Sequence, residues 1–240
     1  MRFAKSLRAV GIAMVFTGSL AVCLAPTAGA YPLRSPQVPL QTGWDGISLQ
    51  TYLNSVGETL NTLTQQLDLQ TWQGTPLGAS TFTIMVEIAG YAGQNTIGIY
   101  NAGQASPSMF QVFPGAATRG WYATCAFSSG GHLAVSLYDN AHALQGTTNY
   151  VGADQNNFGF YLQGPGGTFY SQDYRNPGGK PQILTYVGTG QYLGQWWECF
   201  EDLPYASSDV DFQDSILLLQ AIAPTPASGS SWGGLKSRYR

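Results

Sequence analysis

The chain has 240 residues, 44% hydrophobic, 13% aromatic and only 10% charged, which excludes a disordered polyelectrolyte. Between residues 31 and 227 four cations (Arg34, Arg119, Arg175, Lys180) face all 13 carboxylates, a net of −9, so no basic surface is available to track nucleic-acid phosphates. Thirty Gly and 14 Tyr suit short strands and tight turns better than a helical bundle.

Residues 1–30 have the parts of a secretory signal. Arg2, Lys5 and Arg8 form a basic start, Val10 to Leu24 an apolar stretch, and Ala28-Gly29-Ala30 a cleavage site before Tyr31. The expectation is an exported protein, secreted or at the cell surface, without a transmembrane helix in the mature chain. A lipoprotein is the alternative, because Leu20-Ala21-Val22-Cys23 loosely resembles a lipobox, although Val22 stands where a small residue is usual. Export permits disulfides. Cys125 and Cys199 remain after cleavage, each in a strand-like run; they read either as buried thiols or as a disulfide closing a long loop.

Residues 31–44 are a Pro-rich, extended lead-in. Asp45 can cap a helix, and Leu49, Leu53, Val56, Leu60, Leu63 and Leu67 follow at helical spacing. Gly57 interrupts them, so the spacing predicts one short helix over about 47–55, packed on a core.

After Gly78 the period changes to two. Phe82, Ile84, Val86 and Ile88 share one face of 81–88, and Thr81, Thr83, Met85 and Glu87 the other. Further strands are predicted near 96–100, 109–113, 121–127, 133–138, 157–162, 168–171, 182–187, 195–201 and 215–222, separated by Gly, Pro and Asn turns. Ile216-Leu217-Leu218-Leu219 is apolar on both faces, as a central strand must be. Residues 45–223 are therefore expected to form one all-β domain, a jelly-roll-like β-sandwich of about ten short strands with a short N-terminal helix. Residues 224–240 read as a flexible linker and a basic end (Lys236, Arg238, Arg240). They are either a frayed tail or an element that resembles the C-terminal sorting tags of some exported bacterial proteins.

Nucleophilic catalysis finds little support. The two His, His132 and His142, sit at turns, and no Gly-x-Ser-x-Gly elbow is present. Zinc lacks closely spaced Cys and His, and Gly164-Pro165-Gly166-Gly167 lacks the Lys-Ser/Thr of a phosphate loop. A glycosidase would use Glu201 or Asp202, but neighbouring carboxyls along a strand diverge. Trp196, Trp197 and Tyr192 offer a stacking platform for a carbohydrate, or else contribute to the core. The strongest constellation is acidic: Glu201 and Asp202, a short loop, then Asp209, Asp211 and Asp214, with no Lys or Arg from 198 to 214. Hard oxygens in a turn between strands suit Ca²⁺. An EF-hand fails, because Asp214 and Gln220 occupy its sixth and twelfth positions. The alternative is a solvated acidic turn closed by Asx hydrogen bonds.

The segments 85–100, Phe158-Gly159-Phe160-Tyr161-Leu162, Thr168-Phe169-Tyr170-Ser171-Gln172-Asp173, Phe200-Glu201-Asp202-Leu203-Pro204 and Asp209-Val210-Asp211-Phe212-Gln213-Asp214 resemble domain-of-unknown-function family 4114, found in secreted bacterial proteins. The likeness runs from about 45 to 222. Gln213 and Gln172 depart from it, standing where Asn and an acid are common. The resemblance implies a β-rich extracellular module with no accepted enzyme chemistry, and its acidic box supports Ca²⁺ at Glu201, Asp202, Asp209, Asp211 and Asp214. The expected function is a non-enzymatic cell-surface or extracellular-matrix module, Ca²⁺-stabilised, structural or adhesive, with a surface partner such as a polysaccharide. A carbohydrate-binding module is the alternative, and a hydrolase the third reading.

Overall fold

The computed structural model describes residues 31–225 apart from 44, 76–78 and 88. The expected secretory signal with Cys23, and the basic tail from 226, lie outside the described residues, as does Ile88 of the first predicted strand.

Among the described residues one short α-helix, α1 (Leu49–Ser55), precedes thirteen strands. These are β1 (Trp72–Gly74), β2 (Ser80–Glu87), β3 (Thr96–Asn101), β4 (Met109–Phe113), β5 (Tyr122–Ser128), β6 (His132–Tyr138), β7 (Leu144–Tyr150), β8 (Phe158–Gly164), β9 (Gly167–Tyr170), β10 (Ile183–Val187), β11 (Trp196–Phe200), β12 (Ser215–Gln220) and β13 (Ile222–Pro224). All pair antiparallel in two sheets. One runs β10-β11-β12-β2-β5-β6-β7; the other runs β13-β1-β8-β3-β4, with β9 also on β8. The all-β sandwich expected from the two-residue period is what forms. Among the described residues no helix is long and apolar enough to cross a membrane.

Alternation along β11 and β12 sorts the interior into two cores. Trp196, Phe200, Leu217 and Leu219 point between the sheets, where they meet Trp72, Phe82 and Phe160. Trp197, Cys199, Ile216 and Leu218 point the other way, into a second core closed by Leu49 and Leu53 of α1, Val38 of the lead-in, and Val210 and Phe212. The β10–β12 part of the long sheet is therefore buried on both faces, as the apolar run at 216–219 requires. The lead-in is stitched on by backbone bonds from Arg34 N to Gln66 O (2.9 Å) and from Gln41 N to Val210 O (3.1 Å).

Several expectations need correction. The helix starts at Leu49, and its N-cap is Ser48, whose hydroxyl accepts from Thr51 N at 3.1 Å. Asp45 instead accepts from Ile47 N (2.8 Å) and Gln213 Nε2 (3.0 Å). Leu63 leaves the apolar stripe and is 51% exposed, because the helix has already ended at Gly57. Ten predicted strands are present, and β1, β7 and β13 join them. The 215–222 run is cut at Ala221, whose φ of 55° turns the chain from the long sheet into the short one. The Cys125–Cys199 disulfide is not formed: both thiols are free and buried. Cys125 lies on β5 and Cys199 on β11, with β12 and β2 between. Three strand spacings are roughly 14 Å, about twice the Cα separation that a disulfide spans. The two thiols also serve opposite cores.

Candidate metal centre

The acidic corner is built where β11 leaves the sheet and β12 enters it. Glu201 follows β11 directly, and its backbone N–H bonds Gln182 O at 3.0 Å. The chain then loops out through Pro204–Ser208 and returns with Val210 and Phe212 buried in the second core. Pinning these two side chains inward turns the interleaved Asp209 and Asp211 toward Glu201. The three carboxylates each place an oxygen within 4.8 Å of the others. The return has a conformational cost. Val210 and Phe212 sit at φ of 57° and 56°, where a β-branched or bulky residue is strained by about 1–3 kcal/mol. Burial of both side chains offsets it.

Neighbouring amides fix the geometry. Asp211 Oδ1 accepts from Gln213 N (2.9 Å) and Oδ2 from Gln213 Nε2 (3.0 Å). Gln213 Nε2 also reaches Ile47 O (2.9 Å) and Asp45, which ties the corner to the start of α1. Gly43 passes so close to the Asp211 carboxylate and Gln213 Nε2 that a side chain there would overlap both. Asp214 Oδ2 accepts from Asp202 N at 2.8 Å, and Asp202 Oδ2 accepts from Asn95 Nδ2 at 2.8 Å. A cavity of about 530 Å³, lined in part by Tyr91, Ser207, Glu201, Asp209 and Asp214, opens onto the cluster.

The electrostatics are one-sided. Glu201 is 1% exposed and its Oε2 is buried without a hydrogen-bond partner. Every charge that acts on it is another carboxylate: burial raises its pKa most, followed by Asp214, Asp211 and Asp209. Glu201 and Asp214 face each other closely enough to share a proton. Asp214 is raised by burial and then by Asp202; Asp211 is raised by burial and by Asp209, against the Gln213 hydrogen bonds that lower it. A buried group of carboxyls in this state either holds protons or neutralises its charge with a cation.

Of the five predicted ligands, Glu201, Asp209 and Asp211 come together. Asp214 lies beside Glu201 on the same cavity, and Asp202 turns its side chain to Asn95. Sequence reasoning about the acids alone did not single out Asn95, Tyr91, Asp45 or Gly43. The first two fall in the 85–100 block, and only that block marked them. Trp196 (2% exposed) and Trp197 (0%) are interior, with Trp197 Nε1 donating to Glu58 Oε1 at 2.6 Å, so the surface platform expected from them does not exist. Tyr192 packs edge-on against Trp197, ring centroids 5.0 Å apart. His132 and His142 are exposed on the strand-start and turn expected of them. No family model matches this chain, and no curated protein and no solved structure matches it either.

Proposed function

We propose that the protein is an exported, non-enzymatic extracellular or cell-surface module of the family-4114 type, whose acidic corner binds Ca²⁺ and thereby orders the 201–214 loop. The observation that carries this reading is the buried, unpartnered Glu201 carboxylate oxygen beside Asp209 and Asp211, whose oxygens gather within 4.8 Å. Oxygens on opposite sides of one Ca²⁺ stand about 5 Å apart, because each ligand lies roughly 2.3–2.6 Å from the ion. Glu201, Asp209 and Asp211 would supply charged ligands, and the cavity at Tyr91 and Ser207 gives the ion a path in. The role is structural. Neutralising the corner lets the carboxyls ionise in place, and the binding free energy adds to folding stability.

Thermal melting tests it. At a Ca²⁺ concentration about 50 times Kd, the ion contributes about 2 kcal/mol. For a domain of this size that raises Tm by about 4–8 °C relative to EGTA. Asp211→Asn and Asp209→Asn should each remove most of that rise. An unchanged midpoint in the parent protein, or variants that respond as the parent does, would sink the reading.

A further inference from the structure

A second concavity, of about 540 Å³, lies between the lead-in at 34–39, the 68–70 loop, the turn at 179–181 and Tyr205. Its volume falls within the range of small-ligand sites. Its lining carries two cations and two carboxylates: Arg34 and Lys180, Asp68 and Asp173. Planar polar groups are already locked together there. Arg34, only 7% exposed, pairs through Nη1 with Asp173 Oδ2. Gln70 Nε2 bridges the two acids, donating to Asp68 Oδ1 (2.8 Å) and Asp173 Oδ2 (3.3 Å), while its Oε1 accepts from Asp173 N at 3.1 Å. One donor and one acceptor in this group, Arg34 Nε and Asp173 Oδ1, are buried without partners. The lining also includes Tyr205, with the Lys180 ammonium 5.6 Å from its ring centre, and three prolines, Pro36, Pro39 and Pro181.

We propose that this cleft binds a neutral saccharide. Balanced charge gives no net attraction for an anion or a cation. A hydroxyl donates and accepts at once, so it can serve a carboxylate and a guanidinium together, which no purely cationic or anionic group can. The apolar C–H face of a sugar ring matches the proline and tyrosine wall. Arg34, Asp68, Gln70, Asp173 and Lys180, which supply the charged and polar groups of this cleft, lie outside the metal corner; Tyr205 belongs to the 201–214 loop, so its part of the wall is shared with that corner.

Native affinity electrophoresis of the full chain tests the proposal, with soluble starch, xylan or glucomannan cast in the gel and alginate and dextran sulfate as charged comparators. In excess Ca²⁺, at least one neutral polysaccharide should retard the parent protein. Asp68→Ala and Lys180→Ala change exposed side chains. Each should weaken binding by about tenfold, the expected loss of one charged hydrogen bond. Circular dichroism of both variants must match the parent. Retardation by none of the neutral glycans, retardation only by the charged ones, or retardation that both cleft variants keep in full would each overturn it.

Discussion

Trp196→Ala is expected to cost about 3–5 kcal/mol of folding stability. The indole is 2% exposed and lies between the sheets. It meets Trp72 with ring centroids 5.1 Å apart and Tyr31 at 5.0 Å, both edge-on, and its Nε1 donates to Ile222 O at 3.3 Å. Alanine leaves a cavity bounded by both sheets, removes two aromatic contacts and strands the Ile222 carbonyl. It also frees the start of the lead-in, since Tyr31 loses its seat. Urea denaturation would read the change as a lower midpoint at constant slope. A loss below about 1 kcal/mol would place Trp196 at the surface and restore the stacking platform.

The second large effect is a dependence of stability on pH whose sign depends on the cation. Without Ca²⁺, Asp211 is pushed up to about 6 and Asp214 to about 7, with Glu201 higher still, all chiefly by burial. In the unfolded chain the same groups titrate near 4. Between those values the folded protein holds more protons than the unfolded one, so stability falls as pH rises. Below about pH 4 both states are protonated and the penalty vanishes. The cation-free protein should therefore lose on the order of a few kcal/mol between pH 5 and pH 7.5. Glu198, buried between the sheets beside Thr185, adds to the same trend. Saturating Ca²⁺ should remove most of the slope, because the ion favours the ionised carboxylates. Urea titrations at several pH values, in Ca²⁺-free buffer and in excess Ca²⁺, measure both. Stability that climbs from pH 5 to 7 without the ion would contradict this account.

What the sequence makes legible follows from burial. β11 and β12 could be read because both faces are apolar, and β2 because its faces differ. β7 could not: all but the last of its residues are exposed, so no alternation marks it. β1 and β13 are each three residues long and exist by pairing with one another, Trp72 with Pro224 and Gly74 with Ile222, a contact across about 150 residues. The acidic corner was legible as a local box, since five of its acids fall within 14 residues of chain. Which of them converge was not. That choice is made by Val210 and Phe212 dropping into a core supplied by α1 and the lead-in, and by Asn95, more than 100 residues away, taking Asp202. The paired tryptophans misled for a related reason. In β11 adjacent residues face opposite ways, and because this sheet is covered on both sides, both indoles are interior.

The claim that the corner holds a cation is tested most directly by a crystal structure grown in millimolar Ca²⁺, with anomalous data at a long wavelength. The account predicts one peak bounded by Glu201, Asp209 and Asp211, with carboxylate oxygens roughly 2.3–2.6 Å away. A well-ordered corner with those three side chains in place and no peak among them would contradict it.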